Sequence, residues 1–292
     1  MGSVPDEDAK NALRQVTKSL DSGYVYIVDA DLRQCFDRIP HRRLLDLVKQ
    51  RVADRKVLKL IQSFLKQEIL DEGTILNPEN EGTPQGATLS PLLCNIFLNP
   101  LDHIMEEAGK EMVRYADDLI IACKTREEAE AALEMLREWT GANGLELHPE
   151  KTRIAEMNRP EEHFDFLGYR FKLSKRGKII RFPSPKSEKR FRVKLRVTTR
   201  RANGKSMEEI IRQCNLVLKG WFEYFKHSNK WALESYDGWL RMRMRSILRK
   251  RGNGKGKGRG ADNQRWPNAY FAKLGLFSLT TARMEAISPQ RG

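Results

Sequence analysis

Apolar residues recur at the spacing of an α-helix along most of this chain. The stretch after Pro40 shows the pattern clearly, because Leu44, Leu45 and Val48 fall on one helical face. This spacing predicts helices over residues 8–22, from Pro40, from about Asp54, over Thr88–Glu107, and over 126–141, 186–200, 206–226 and 230–250.

Strand patterns are shorter and lie in the first part of the chain. Strands or hairpins are predicted at Tyr24–Val28, 68–82, 112–122 and 145–182, and a loop is the alternative for 68–82. The third of these segments carries two adjacent acids, Asp117 and Asp118, between two apolar halves. An α+β region is therefore predicted to precede a helical region, with the boundary near residues 175–185.

Charge divides the chain in the same way. The 292 residues carry a net charge of +14, but residues 1–170 hold 22 Lys/Arg against 31 Asp/Glu, whereas residues 171–292 hold 31 against 8. A basic half of this density indicates a polyanionic partner, most often nucleic acid, because each neutralised phosphate releases counterions. A basic face that serves solubility is the alternative.

Other classes of protein are disfavoured. The cysteines show no CxxC or Cys/His spacing, so neither a zinc module nor a disulfide framework is indicated: they are Cys35, Cys94, Cys123 and Cys214. The chain also lacks an apolar run of the roughly 18 residues that span a membrane, and a signal-peptide pattern. We expect a soluble, cytoplasmic protein without a membrane partner.

The adjacent acids Asp117 and Asp118 are the first candidates for chemistry. Two carboxylates side by side repel each other, and bound cations would relieve that repulsion. A solvated turn is the usual alternative for such a tip. Asp31 also ends a predicted strand, so a sheet could gather all three acids at one edge, as phosphoryl transfer with two metal ions requires.

Several segments together resemble a known family. They are Ala30–Asp37, Gly82–Leu93, Tyr115–Asp118, His148–Thr152, Phe166–Tyr169, Gly220–Phe225 and Gly275–Leu279. In order and spacing, the earlier ones resemble the successive blocks of bacterial reverse transcriptases, and best those of group II intron reverse transcriptase/maturase proteins. The resemblance covers about residues 20–285 and is specific because several ordered motifs agree.

The resemblance implies an α+β fold: a reverse-transcriptase palm, with an antiparallel sheet and packed helices, followed by a basic, mostly helical thumb/maturase domain. The palm would occupy residues 1–180, the thumb/maturase domain 181–251, a flexible, basic, glycine-rich linker 252–260, and a maturase-like segment 261–292. Only about 23 residues precede the Asp31 strand. We therefore expect a truncated member whose fingers region is mostly absent or is supplied by a separate chain.

The resemblance also implies a catalytic site. Asp31, Asp117 and Asp118, with the backbone carbonyl of Leu32, would bind two Mg²⁺ ions, and Mn²⁺ is the alternative ion. Asp31 and Asp117 would bridge the ions, and Asp118 would support them. Asp29 lies outside the motif and is interpreted as a sheet or surface residue.

Four further residues would contact the incoming dNTP: Phe36, Gln85, Gly86 and Lys151. Phe36 would exclude a 2′-OH by its bulk, and its alternative is a core residue. Gln85 and Gly86 would approach the nucleotide closely, or form only a helix-entry turn. Lys151 would contact the triphosphate or primer and act as a general acid for pyrophosphate, or be an exposed lysine.

Basic residues of the second half would bind RNA. They are Lys186, Lys189, Arg190, Arg192, Lys194, Arg196, Arg241, Arg243 and Arg245. A solvated helix face is the usual meaning of such runs.

Two functions follow from the resemblance. The first is an RNA-directed DNA polymerase that adds dNTPs to a DNA primer on an RNA template and binds intron RNA through its basic half. The second is an RNA-binding maturase whose polymerase site is incomplete or weakly active. A generic basic RNA-binding protein, the third possibility, leaves the ordered acids unexplained.

Overall fold

The computed structural model describes residues 6–66, 69–71, 74–76, 80–83, 89–201 and 204–287. The chain divides into two compact units. The first comprises residues 1–167 and 172–179, and the second comprises residues 168–171 and 180–292. No helix in the described part is both long and apolar enough to cross a bilayer.

The first unit combines helices with a small antiparallel sheet. Its helices are α1 (Asp6–Asp21), α2 (Cys35–Arg38), α3 (His41–Lys49), α4 (Arg55–Leu65), α5 (Ser90–Glu107) and α6 (Arg126–Ala142). Its strands are β1 (Tyr26–Asp31), β2 (Ile69–Asp71), β3 (Thr74–Leu76), β4 (Glu111–Tyr115), β5 (Asp118–Cys123), β6 (Arg153–Glu156) and β7 (His163–Phe166).

The main sheet has the order β4-β5-β1-β6, with every pairing antiparallel. Residues of β1 alternate between its two faces. Val28 and Ala30 are buried in a cluster with side chains of α3, α5 and α6. Asp29 and Asp31 therefore lie on the opposite face, away from those helices, because side chains alternate with a period of two.

The chain passes from the first unit to the second within β8 (Tyr169–Leu173) and β9 (Ile179–Pro183). These strands follow β7 in a three-stranded sheet of order β7-β8-β9. The remaining elements are helices: α7 (Pro185–Thr198), α8 (Met207–Phe225), α9 (Lys230–Arg251), α10 (Asp262–Arg265), α11 (Asn268–Lys273) and α12 (Leu279–Ile287).

The positions at which several helices begin follow from the polar residue that precedes the first turn. Asp54, Thr125, Ser184, Ser206 and Asn229 each accept a hydrogen bond from a backbone N–H of the helix that follows. Such caps satisfy donors that have no partner inside the helix.

The core of the second unit is formed by α7, α8, α9, α11 and α12. Trp221 lies between the rings of Phe191 and Phe225, with centroid distances of 4.3 and 4.6 Å. The buried carboxylate of Asp237 accepts hydrogen bonds from the backbone N–H groups of Leu279 and Thr280, which ties the start of α12 to α9.

The segment 252–260 packs against α9 and is not the free linker that its composition predicts. Gly258 donates its N–H to Ser246 Oγ at 2.8 Å. A Cβ at this glycine would lie 2.5 Å from the Cβ of Arg245, so only glycine permits this approach. The glycines here therefore allow close packing, whereas their composition alone suggests flexibility.

Candidate active site

The register of β1 and β5 brings two of the predicted acids together. Asp31 lies directly opposite Asp118, as the last pair of the antiparallel ladder. Directly opposed side chains of two strands share a face, with Cβ atoms about 4.5–5.5 Å apart. Asp117 precedes Asp118 at the tip of the β4–β5 hairpin, so all three acids lie at one end of the sheet.

The tip of this hairpin has a constrained backbone. Tyr115 pairs with Asp118, which leaves only Ala116 and Asp117 between the strands. Ala116 has a φ of +56°, in the left-handed region that usually requires glycine. That conformation costs an L-residue roughly 1–2 kcal/mol. Strain of this kind persists only where surrounding contacts hold it.

Arg114 supplies such contacts. Its Nη1 donates to the carbonyl of Ala116 at 2.8 Å and to Asn95 Oδ1 at 3.0 Å. Its Nε donates to Asp102 Oδ1 at 2.7 Å, and its Nη2 to the other oxygen of Asp102. The side chain of Arg114 is only 10% exposed. Asn95 and Asp102 stand two turns apart on α5, so one helix face anchors this arginine.

Burial perturbs the acids at the tip. It raises the pKa of Asp118 to about 6, and repulsion from Asp117, Asp31 and Asp165 adds to the effect, while the N–H of Leu167 opposes it. Burial also raises the pKa of Asp117, and the backbone N–H of Asp117 itself opposes that shift. A group of buried carboxylates that repel one another is stabilised by a nearby cation.

The cation beside these acids is Lys151. Its Nζ lies 2.5 Å from Asp31 Oδ2, and the two side chains are 61% and 37% exposed. The charge of Lys151 also lowers the pKa of Asp117. Lys151, the predicted triphosphate contact, thus lies next to the carboxylates of Asp31 and Asp117.

The donor set is suited to a hard divalent cation. Carboxylate oxygens are the ligands that Mg²⁺ prefers, and the charge of the ion would relieve the repulsion between these acids. Within the described residues, no three His, Cys, Asp or Glu side chains already converge as a formed metal site. Asp31 contacts Lys151, and Asp118 Oδ2 accepts the N–H of Leu167 at 3.2 Å. A bound ion would have to displace Lys151 and the N–H of Leu167 from these carboxylate oxygens.

Asp29, interpreted from the sequence as a sheet or surface residue, lies beside the site. It is two residues before Asp31 on the same face, opposite Arg153 of β6. Burial raises the pKa of Asp29 to about 7, Arg153 opposes that shift, and Asp118 and Asp31 add to it. The spacing of two along a strand was the signal that could have placed Asp29 here.

Two further groups of the site, the side chain of Arg114 and the backbone N–H of Leu167, were not predicted from the sequence. The signal for Arg114 was a charged residue at the end of an otherwise apolar strand pattern, directly before the hairpin tip. Its partners on α5 gave a second signal, because Asn95 and Asp102 are polar positions seven residues apart in a mostly buried helix.

The remaining predicted site residues lie in different surroundings. Leu32 is buried and forms a bridge with Leu147. Phe36 lies in α2, half-buried against the core of the first unit. Gln85 and Gly86 fall outside the described residues.

The basic residues of α7 form an exposed face. Lys186, Lys189, Arg190, Lys194 and Arg196 are exposed, on the side opposite the buried Phe191 and Leu195. Val193 and Val197 lie within the same face and are 46% and 58% exposed. Among the described residues, none of these five basic side chains has an acidic partner. We call the surface formed by these five basic residues and two valines the α7 basic face.

Three other predicted RNA contacts are engaged inside the second unit. Arg245 is 5% exposed, and it donates to the carbonyl of Trp266 and to Asn268 Oδ1. Its guanidinium is therefore engaged inside this unit, and its contact with RNA stays a prediction. Arg243 donates twice to Thr199. Arg192 pairs with Glu188 at 2.6 Å.

Arg241 lies instead in a cleft of about 730 Å³ between α9 and the glycine-rich segment. The same cleft is lined by Arg245 and Arg259 and by the polar side chains Asn263 and Asn268, and no acid contributes to it. Neither Arg241 nor Arg259 has an acidic partner among the described residues. The cleft is thus a second basic surface of this unit.

Two protein families match this chain. The reverse transcriptase (RNA-dependent DNA polymerase) family matches residues 4–171, and the group II intron, maturase-specific domain matches residues 188–266. The first match covers more than half of the chain and contains all three acids.

Individual relatives agree with these families. Protein YkfC of Escherichia coli (strain K12) is 30% identical over 208 residues, which cover 58% of this chain and 54% of that protein. The group II intron-encoded protein LtrA of Lactococcus lactis subsp. cremoris is 28% identical over 245 residues, 62% of this chain and 40% of that protein. The chain thus spans about half the length of the curated relatives it matches.

A solved structure supports the fold. Apo telomerase from Candida tropicalis aligns with 98% of this chain and 56% of its own, with a TM-score of 0.50 and 14% sequence identity. These matches agree with the predicted α+β fold. So do the antiparallel sheet and the helices packed on the face opposite the acids. On the match over residues 4–171, the chain belongs to the reverse transcriptase (RNA-dependent DNA polymerase) family, and its second unit carries the group II intron maturase-specific domain.

Proposed function

We propose that this protein is an RNA-directed DNA polymerase of the group II intron type, which adds dNTPs to a DNA primer on an RNA template. The observation that carries the proposal is the pairing of Asp31 with Asp118 across β1 and β5, with Asp117 at the adjoining tip. Membership of the reverse transcriptase family supports it.

In this proposal Asp31 and Asp117 hold two Mg²⁺ ions, with Mn²⁺ as the alternative. Asp118 and the carbonyl of Leu32 assist them. Bound ions would activate the primer 3′-oxygen and neutralise the leaving pyrophosphate. The chain itself contributes position, since the strand ladder fixes the carboxylates before substrate arrives.

Other residues of the first unit would orient the nucleotide. Lys151 contacts Asp31, and a bound ion at that carboxylate would release its ammonium. The ammonium of Lys151 would then contact the triphosphate and donate a proton to the leaving pyrophosphate. Phe36 would select deoxynucleotides by leaving no room for a 2′-OH. Gln85 and Gly86 remain proposed nucleotide contacts.

The second unit would hold RNA. Among the described residues, the α7 basic face offers five cations without an acidic partner around two exposed valines, and the cleft at Arg241 and Arg259 offers two more. Unpaired cations release phosphate counterions on binding without first breaking an internal ion pair. The match to the maturase-specific domain supports a role with intron RNA.

Primer extension on an RNA template with Mg²⁺ tests the polymerase. We expect the wild-type chain to extend a DNA primer with dNTPs, and Asp117→Asn to lose at least about 10³-fold in rate. Glu134→Gln is a matched control, since it neutralises an exposed carboxylate on α6 that pairs with Arg137. Extension by Asp117→Asn at the wild-type rate would contradict the proposal.

The second candidate function is an RNA-binding maturase with an inactive polymerase site. The α7 basic face and the maturase-specific domain favour it. The same experiment separates the two functions. A wild-type chain that binds RNA in a salt-sensitive way but extends no primer would support the maturase alone.

A further inference from the structure

Arg114 joins the catalytic hairpin to α5 through four hydrogen bonds. Two of them form a fork with the carboxylate of Asp102, and one reaches Asn95. The fourth reaches the carbonyl of Ala116, which lies inside the two-residue tip. An arginine that only fastened β4 to α5 would need no contact with the tip.

The carbonyl of Ala116 belongs to the same peptide plane as the N–H of Asp117. Fixing that oxygen therefore fixes the direction of the Asp117 N–H, because the peptide group is planar. The Cα of Asp117, which carries its side chain, is attached to that same peptide group. Arg114 thus acts on a predicted metal ligand through one rigid peptide group.

The backbone of Ala116 makes this restraint necessary. With φ at +56°, an alanine is less stable than in the ordinary regions, so the tip would relax if nothing held it. Relaxation by rotation of the Ala116–Asp117 peptide would turn the carbonyl away and move the Asp117 side chain. The guanidinium of Arg114 opposes that rotation, since it is buried and anchored at three other atoms.

We propose that Arg114 is a positioning residue, which locks the Ala116–Asp117 peptide in the orientation that presents Asp117 to metal and substrate. Asp102 and Asn95 hold Arg114 for this task. The inference rests on the proposed polymerase function for its catalytic consequence. Its structural part concerns only how the chain presents its own carboxylates.

The first experiment compares Arg114→Gln, Arg114→Lys and the wild-type chain in two measurements: Mn²⁺ titration by calorimetry without substrates, and single-nucleotide incorporation. We expect Arg114→Gln to bind Mn²⁺ at least threefold more weakly and to lower kcat at least 30-fold, with KM for dNTP changed less than threefold. Arg114→Lys keeps the charge but cannot reach Asn95, Asp102 and Ala116 together, so we expect it to restore little.

Arg137→Gln is the matched control, because Arg137 is exposed on α6 and pairs with Glu134 at 3.4 Å. We expect it to behave as wild type. Full recovery in Arg114→Lys would show that the ion pair with Asp102 suffices, and would overturn the proposal. Wild-type Mn²⁺ affinity and kcat in Arg114→Gln would overturn it as well.

A double variant tests the role of the strained tip. Glycine adopts positive φ without penalty, so Ala116→Gly reduces the need for a restraint. We expect kcat of Arg114→Gln/Ala116→Gly to be at least threefold higher than kcat of Arg114→Gln alone. Strictly additive losses would contradict the proposal, since Arg114 would then act independently of the tip.

The two proposals fail in different ways. If the wild-type chain extends no primer, the proposed polymerase function fails, and Mn²⁺ affinity alone decides the role of Arg114. Weaker Mn²⁺ binding by Arg114→Gln than by wild type would then still support the inference. Equal binding, or no binding by either, would overturn it.

Discussion

The two units hold their functional charges in opposite ways. In the first, Asp31 and Asp118 are placed by strand register, and Asp117 by a two-residue tip that Arg114 holds. In the second, the cations of the α7 basic face project from one helix, and no acid in the described part of the chain pairs with them. The acids are fixed by the backbone, whereas these cations keep the freedom of long side chains.

This difference matches what each chemistry demands. Phosphoryl transfer depends on the position of a few oxygens, so a small displacement removes most of the rate. Binding of a polyanion depends on the number of neutralised phosphates, and each cation contributes a similar, separate increment. We therefore expect a single substitution among the three acids to remove most of the polymerase rate. Each substitution on the α7 basic face should instead weaken RNA binding by a small increment.

The largest effect is expected for Asp31→Asn. Asparagine keeps the shape but removes the charge opposite Asp118, so we expect kcat in primer extension to fall about 10³-fold, equivalent to about 4 kcal/mol. Asp29→Asn is the matched comparison, because Asp29 lies on the same face of the same strand. We expect Asp29→Asn to lower kcat less than tenfold. Equal losses in both variants would mean that the whole acidic face, and not the tip, carries catalysis.

Arg245→Met tests whether a buried arginine of the second unit serves stability, in contrast to the exposed cations of the α7 basic face. It removes a buried guanidinium and leaves the carbonyl of Trp266 without its donor, so we expect the free energy of unfolding to fall by about 2–3 kcal/mol. Urea unfolding followed by tryptophan fluorescence measures this, since four of the five tryptophans lie in that unit.

Arg190→Gln is the control for this measurement. Arg190 is exposed on α7 and has no acidic partner among the described residues, so we expect its unfolding midpoint to stay at the wild-type value. An unchanged midpoint for Arg245→Met would instead favour the predicted contact of Arg245 with RNA.

The same contrast explains how far the sequence could predict the molecule. The helices, the two-acid hairpin and the strand that ends at Asp31 follow from local patterns, because periodicity and adjacent acids are visible within a short segment. Local patterns mark Arg114, Asn95 and Asp102 as unusual polar positions, but they do not show which residues pair. The partners Asp102 of Arg114 and Leu167 of Asp118 lie 12 and 49 residues away. Strand register, which determines them, depends on tertiary packing.

The arginines of α9 show the limit most clearly. Arg241, Arg243 and Arg245 alternate with methionines and look equivalent in the sequence. In the structure Arg243 bonds Thr199, whereas Arg241 and Arg245 line the same cleft, and only Arg245 is buried there, with its guanidinium bonded to Trp266 and Asn268. Their separation arises because residues 252–271 fold back onto α9, and the close approach at Gly258 that permits this reads in the sequence as a flexible linker.

The smallest effect is expected on the α7 basic face. Each of Lys189→Gln and Arg190→Gln removes one unpaired cation, so we expect RNA affinity to fall only a few-fold and the slope of log K against log salt to decrease by about 0.7–0.9 per residue. The loss should be similar for unrelated RNA sequences, because phosphate contacts carry no base information. Filter binding between low and moderate salt measures both quantities.

Arg212→Gln completes this last test, because Arg212 is exposed on α8 but forms two hydrogen bonds with Glu209. Removing an already neutralised cation should leave the salt slope unchanged. Primer-extension kcat at saturating template should also stay at the wild-type value in Lys189→Gln and Arg190→Gln, since these residues would hold the template and not the reacting atoms. A fall in kcat of the size expected for Asp31→Asn would contradict the contrast between the two units. Cations of the α7 basic face would then affect the rate of the reaction as strongly as the carboxylates do.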